Sequence, residues 1–220
     1  MELRRTANAG ILLRLDDKEI LLDGVCREVK PYSATPQLEL DRLMARWPDA
    51  VAFTHIHEDH FDPAYAERYH AATGRKAIST AQAENLYPQS VCSHGEVDVG
   101  GIRLTAVSTR HLGRSGLDTE HCGFVVQGSR TLWFMGDGAP AQLKHYAAFK
   151  KPDVFVLPFA YLSTPAALRQ VQEFLPCKVV LLHMPLPEAD EAGLWQAVAP
   201  ALDALKEWVV VPQMGQTITL

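Results

Sequence analysis

Five short apolar runs in this chain end at a histidine or an aspartate, or lead to one within three residues, and this repetition narrows the folds open to it. Residues 19–22 run into Asp23, 51–53 toward His55, 102–108 toward His111, 131–135 toward Asp137, and 178–182 into His183. Runs this short, rich in Val, Ile, Leu and Phe, suit strands better than helices. A sheet fixes the backbone at a strand end, and the following loop leaves side chains free to converge. The pattern therefore predicts a sheet-based fold with its chemistry gathered where strands end.

The intervening sequence fits that frame. Residues 10–15 and 19–22 flank Asp16-Asp17-Lys18 and read as a hairpin; residues 97–99 and 102–108 form a second antiparallel pair around Gly100-Gly101, and residues 124–127 and 131–135 a third around Gly128-Ser129-Arg130. A helix is predicted over residues 36–47, with Leu38, Leu43 and Trp47 as its apolar stripe and Pro48 as its stop. Asp62 followed by Pro63 is an N-cap and first-turn proline, starting a helix over 63–72. Residues 76–80 read as a strand followed by a short helix. The last third predicts strands over 153–157, 178–182 and 209–211, with helices over 165–174, 191–198 and 200–208. A hairpin-rich first part followed by strand–helix units gives a mixed α/β protein.

With 220 residues, 47% of them hydrophobic, the chain can bury one substantial core, which predicts a single domain over residues 1–220. A net charge of −5 gives no general attraction to a phosphate backbone or an anionic membrane, so neither a membrane nor nucleic acid is an expected partner. The four cysteines form no CxxC pair, and the early apolar run is broken by Arg14 and Asp16. Free thiols, no signal-peptide core and no membrane span predict a cytoplasmic protein. Composition leaves the oligomeric state open.

The segment His55-Ile56-His57-Glu58-Asp59-His60 is the strongest local signal. In extended chain His55 and His57 point to the same side and can reach one ion; a turn at Glu58 aims Asp59 and His60 at a second. Three histidines and an aspartate this close are costly to bury without a metal or dense hydrogen bonding. His111 would complete a three-histidine set, against the alternative of a histidine in a polar loop. His183 would complete the set begun by Asp59 and His60, against a histidine at the core's edge. Asp137, between Gly136 and Gly138, is either a turn aspartate or a carboxylate that spans two ions, which a single imidazole nitrogen cannot do. The mixture of nitrogen and oxygen donors suits two divalent ions, zinc foremost, with manganese or iron as alternatives.

This HxHxDH segment, with the ordered His111, Asp137 and His183 downstream, resembles the metallo-β-lactamase-fold superfamily of metal-dependent hydrolases. The resemblance implies a four-layer αββα sandwich with metals at one edge. It further implies that His55, His57 and His111 hold one ion, Asp59, His60 and His183 the other, that Asp137 bridges them, and that Asp23 supports the ligand loops. No insertion separates Asp137 from His183, which argues against the nucleic-acid-processing branch, and the chain stops before the added helical domain of a glyoxalase-II-like thioesterase. Residues 151–158, the helix after them and Leu182-His183-Met184-Pro185 resemble the branch of sugar-phosphate lactonases and related small-molecule hydrolases.

Two cations lower the pKa of water between them by many units, enough to supply an attacking hydroxide near neutral pH. The implied activity is cleavage of a small-molecule ester, lactone or phosphodiester, with Asp59 and Asp137 in the catalytic centre and Asp59 able to relay a proton. Tyr161 and Arg114 are candidate contacts to a substrate, which could be anionic; Tyr161 could equally cap its loop, and Arg110 and Arg114 could simply solubilise theirs. An iron-dependent oxygen or redox enzyme on the same scaffold, and a non-catalytic interaction protein stabilised by metal, are the alternatives. His70, His94, His121 and His145 take structural or surface roles in this reading, with His121 the substitute if His111 fails.

Overall fold

The computed structural model describes residues 1–113 and 118–220. The chain lays down β1 (Glu2–Arg5), β2 (Ile11–Leu15), β3 (Lys18–Leu22), α1 (Gln37–Ala45), β4 (Ala50–Ala52), α2 (Pro63–Thr73), β5 (Ala77–Ile78), α3 (Ala81–Leu86) and β6 (Val91–Cys92). It continues with β7 (Glu96–Val99), β8 (Ile102–Arg110), β9 (Glu120–Gln127), β10 (Thr131–Phe134), β11 (Val154–Pro158), α4 (Pro165–Gln172), β12 (Lys178–Leu182), α5 (Leu194–Ala204), β13 (Val209–Val210) and β14 (Thr217–Thr219). Among the described residues these strands form two seven-stranded sheets, ordered β14-β1-β2-β3-β4-β5-β6 and β13-β12-β11-β10-β9-β8-β7.

Alternation along the strands sorts side chains into three buried layers. Ile20 and Leu22 of β3, with Val154 and Val156 of β11, face the space between the sheets. Leu21 faces the other way, joining Leu43 of α1 and Tyr65 and Tyr69 of α2. Phe155 and Leu157 turn outward beneath Val171 of α4 and Val198 and Ala201 of α5. Helices thus cover the outer face of each sheet, giving the predicted αββα sandwich.

The β2–β3 turn is Asp16-Asp17, both left-handed (φ 48° and 63°), the backbone a two-residue hairpin of right-twisted strands requires. Asp16 also reaches across to the other sheet, its Oδ2 accepting from the Ser129 amide at 2.6 Å.

Several boundaries differ from the sequence reading. Strands β1, β6 and β14 are additional, and each sheet is mixed: pairing becomes parallel at β3–β4 in one sheet and at β10–β11 in the other. Leu38 is 61% exposed, so it is not part of the buried stripe of α1; Leu43 and Glu39 are buried instead. Glu39 tolerates burial because Arg4 of β1 grips its carboxylate with two hydrogen bonds, of 2.8 and 2.7 Å. The two C-terminal helices predicted around residue 199 are one helix that runs through Pro200.

Candidate metal centre

Parallel pairing within each sheet brings several strand ends to one edge, and the predicted residues sit there. Asp23 follows β3, Thr54 and His55 lie just past β4, His111 directly follows β8, Asp137 lies three residues past β10, and His183 directly follows β12. After His57 the chain turns sharply, the amides of His60 and Phe61 both donating to the His57 carbonyl at 2.9 Å. The turn separates the directions of His55 and His57 from those of Asp59 and His60. Asp62 then caps α2, its Oδ1 accepting from the Ala64 amide at 3.1 Å.

Three sets of donor atoms each lie within 4.8 Å of one another: His55, His57 and His111; Asp59, His60 and His183; and His55, His60 and Asp137. The first is all nitrogen, the second mixed. Asp137 connects them. Its Oδ1 is 3.5 Å from both His60 Nε2 and His183 Nε2, and its Oδ2 is 3.6 Å from His111 Nε2. Asp59 Oδ2 lies 3.3 Å from His183 Nε2.

Four of the imidazoles have one nitrogen tied to the protein and the other turned inward. His55 Nδ1 pairs with Thr54 Oγ1 at 2.9 Å, His57 Nε2 with Thr119 Oγ1 at 3.2 Å, His60 Nδ1 with Asp23 Oδ2 at 2.8 Å, and His111 Nδ1 with the Leu112 carbonyl at 2.6 Å. A carboxylate and a carbonyl only accept, so the ring protons of neutral His60 and His111 sit on Nδ1 and leave lone pairs on Nε2. The inward atoms His60 Nε2, His111 Nε2, His183 Nε2 and Asp137 Oδ1 are buried and have no hydrogen-bond partner. Unpaired buried polar atoms are rare and costly, and four converging on one spot form a ligand set. His55 Nε2 and His57 Nδ1, 3.0 Å apart, repel unless a proton or a cation lies between them. The residues therefore fit divalent ions, by their geometry and by the nitrogen and oxygen chemistry of the donors.

The charges of the site are strongly coupled. Burial opposes ionisation of Asp137, but His183 and His60 outweigh it and hold its pKa well below the usual carboxylate range. Burial likewise opposes a charge on His60, yet Asp137 and Asp23 raise its pKa well above the ordinary value. Asp59 is held low against burial by the His183 imidazole beside it and by the charge of His60. Burial, with repulsion from His60, drives His55 well down.

Asp23 is fully buried and hydrogen-bonded to Thr54 and His60. Its Oδ1 accepts from the Thr54 amide at 2.7 Å, and its Oδ2 accepts from Thr54 Oγ1 at 2.7 Å as well as from His60. The substrate contacts fare differently. Tyr161 has no exposed surface; it packs edge-on to Phe155 in the core under α4, so the predicted pocket wall does not form from it. Arg114 lies outside the described residues, and Arg110 is exposed at the end of β8.

The sequence family described as the beta-lactamase superfamily domain matches residues 4–181. The chain belongs to that family. A comparison with curated proteins finds no match. Among solved structures, this beta-lactamase superfamily chain resembles a "possible metal-dependent hydrolase" of Veillonella parvula (18% identity, TM-score 0.76, 100% of this chain and 99% of the other). It is similar also to an isothiocyanate hydrolase from Delia radicum gut bacteria (20% identity, TM-score 0.73, 100% and 99%). The third is CmlA, a diiron β-hydroxylase of Streptomyces venezuelae (14% identity, TM-score 0.71, 100% and 54%). At these identities the likeness speaks for the fold alone. Among the described residues, no helix is long and apolar enough to cross a membrane.

One residue beside this superfamily site was expected there from sequence only in place of His111. His121 is buried in β9, opposite Thr109 of β8, with its ring 5.2 Å from that of His55 and 5.8 Å from that of His111. Its Nδ1 pairs with Thr109 Oγ1 at 2.7 Å, and its Nε2 has no partner. Burial pulls its pKa down to about 3, against the attraction of Asp137. An unfolded histidine titrates near 6.5, so from there down toward 3 the unfolded chain holds a proton the folded one refuses, and stability falls with pH. Relative to wild type, His121→Gln should gain about 2 kcal/mol in urea unfolding between pH 6.5 and pH 5. An unchanged difference would show that the imidazole protonates in place.

Proposed function

We propose that this chain is a hydrolase, folded as one domain over residues 1–220, that uses two divalent cations to cleave an ester, lactone or phosphodiester in a small molecule. The observation that carries the reading is Asp137, whose two carboxylate oxygens face the two donor sets. In this reading His55, His57 and His111 hold one cation and Asp59, His60 and His183 the other, with zinc the best match and manganese or iron compatible. Bound there, the pair lowers the pKa of water and polarises the scissile carbonyl or phosphoryl oxygen. Asp23 fixes the ring of His60, and Thr54 that of His55, so the lone pairs are aimed before any ion arrives. Asp59, ionised at neutral pH, is a better ligand than base, and any proton it accepts it holds weakly.

The sugar-phosphate lactonase branch is one home for this chemistry; hydrolysis of isothiocyanates, the activity named for one structural neighbour, is another. The diiron hydroxylase on a similar fold supports a second reading, in which the donors hold iron and the reaction consumes oxygen. Four free, buried cysteines accord with a reducing, cytoplasmic setting.

Protein purified without chelator should carry two equivalents of metal by elemental analysis. A strong chelator should abolish hydrolysis across a panel of esters, lactones and phosphodiesters, and zinc or manganese should restore it. Less than one equivalent after growth in metal-supplemented medium, with the chain folded, would refute the reading. Iron content with oxygen uptake and no hydrolysis would select the second.

A further inference from the structure

A cleft of about 550 Å³ opens beside His183, a size that suits a small organic ligand. Met184, Leu186, Trp195, Pro212, Met214 and Tyr32 are among the residues of its wall. Two of its wall residues touch His183 of the candidate metal centre. The Tyr32 ring stands edge-on to the His183 imidazole, 4.3 Å between centroids, and the His183 amide donates to the carbonyl of Asn8, another wall residue, at 3.3 Å.

The chemistry of the wall specifies an occupant. Leu186 is 54% exposed, an apolar side chain held at the rim with nothing packed over it. Among the described residues the wall has one basic side chain, Arg5, three of whose five guanidinium N–H groups donate to backbone carbonyls: Nε to Ala7 at 3.3 Å, Nη1 to Pro212 at 3.0 Å and Nη2 to Asn8 at 3.1 Å. The rest of the wall is uncharged and mostly apolar. Asn8 is 3% exposed and its Nδ2 has no partner, a buried amide donor that lacks only an acceptor.

We propose that this cleft receives the apolar, uncharged tail of the substrate, an alkyl or aryl group with one hydrogen-bond acceptor near Asn8, while the scissile group reaches Asp137. This assignment rests on the hydrolytic reading above and narrows it: a small molecule with a hydrophobic tail is selected over a phosphorylated sugar.

The test uses metal-loaded protein and a series of neutral carboxamides, from acetamide through butanamide and hexanamide to octanamide, titrated calorimetrically. Dissociation constants should fall about three- to fourfold per added methylene until the cleft is full, as expected for burial of each group. Leu186→Glu and Met214→Glu, both substitutions of side chains that reach solvent, should weaken octanamide at least tenfold while leaving metal content at the wild-type value. Affinities that ignore chain length, or that stay at the wild-type value in Leu186→Glu and Met214→Glu, would overturn the proposal. Chain-length dependence in a protein that hydrolyses no ester, lactone or phosphodiester would uphold the cleft and refute the hydrolytic reading instead.

Discussion

Asp137→Ala should disable both donor sets at once, taking metal content below one equivalent and hydrolysis down on the order of 10³-fold. Its Oδ1 faces His60 and His183 while its Oδ2 faces His111, and among the described residues no other carboxylate faces both sets in this way. It is also a buried negative charge among imidazoles, and without it two cations would meet with one carboxylate fewer to offset their mutual repulsion. The turn itself does not need the carboxylate. Gly136 supplies the left-handed backbone (φ 49°), and a Cβ there would lie 2.6 Å from Thr54, so the tight approach of the two loops belongs to the glycine. The variant should accordingly keep its circular dichroism spectrum. Asp59→Ala, by contrast, should cost only the ion of the second set. Two ions retained in Asp137→Ala would leave it as the turn aspartate that its flanking glycines also fit.

The layers of the fold were legible because each central strand is a short apolar run, and its alternation assigns its faces. What escaped were elements whose stability comes from partners rather than from their own sequence. Strand β14, Thr217–Thr219, is largely exposed and exists by pairing with β1, Glu2 opposite Thr219. With β1 unseen, Arg4 had no place, and the buried Glu39 it grips could not be told from a surface residue. Pro200 reads locally as a break, since it removes an amide donor from a helix interior. Val198 and Ala201 on either side of it are buried against the outer face of the second sheet, and that packing carries α5 across the missing hydrogen bond.

In the site, residues close in sequence or stationed at the downstream end of a strand were legible, and the rest were not. His121 reads from sequence only as a stand-in for His111, because β9 runs antiparallel to β8 and β10 and its first residues, not its last, reach the active edge. The hairpin relation to β8 could have found it. Tyr161 misled for the opposite reason. It lies just past β11, but a single turn of 3-10 helix over Phe159–Tyr161 rolls the ring back into the core. A strand end offers a side chain to the site only when the loop leaves in that direction.

Asp23 tests the claim that the site is aimed before it is filled, and two substitutions separate its two duties. Asp23→Ala should destabilise the fold by about 3–5 kcal/mol in urea unfolding, because it leaves the Thr54 amide, the Thr54 hydroxyl and His60 Nδ1 without an acceptor at a fully buried position. That is a large part of the stability of a domain. Asp23→Asn keeps the shape and one oxygen, so its cost in stability should be smaller. Its amide, however, is a donor where Asp23 accepts twice. The Thr54 hydroxyl can rotate to accommodate this. His60 can do so only by moving its proton from Nδ1 to Nε2, the atom the second donor set requires as a lone pair. Affinity for the second ion should therefore fall about 10- to 100-fold in Asp23→Asn while the first is nearly unaffected, read by competitive metal titration. Equal loss of both ions would mean that the carboxylate holds the whole loop rather than one ring, and wild-type affinity for both would show that the tautomer of His60 is fixed by something else.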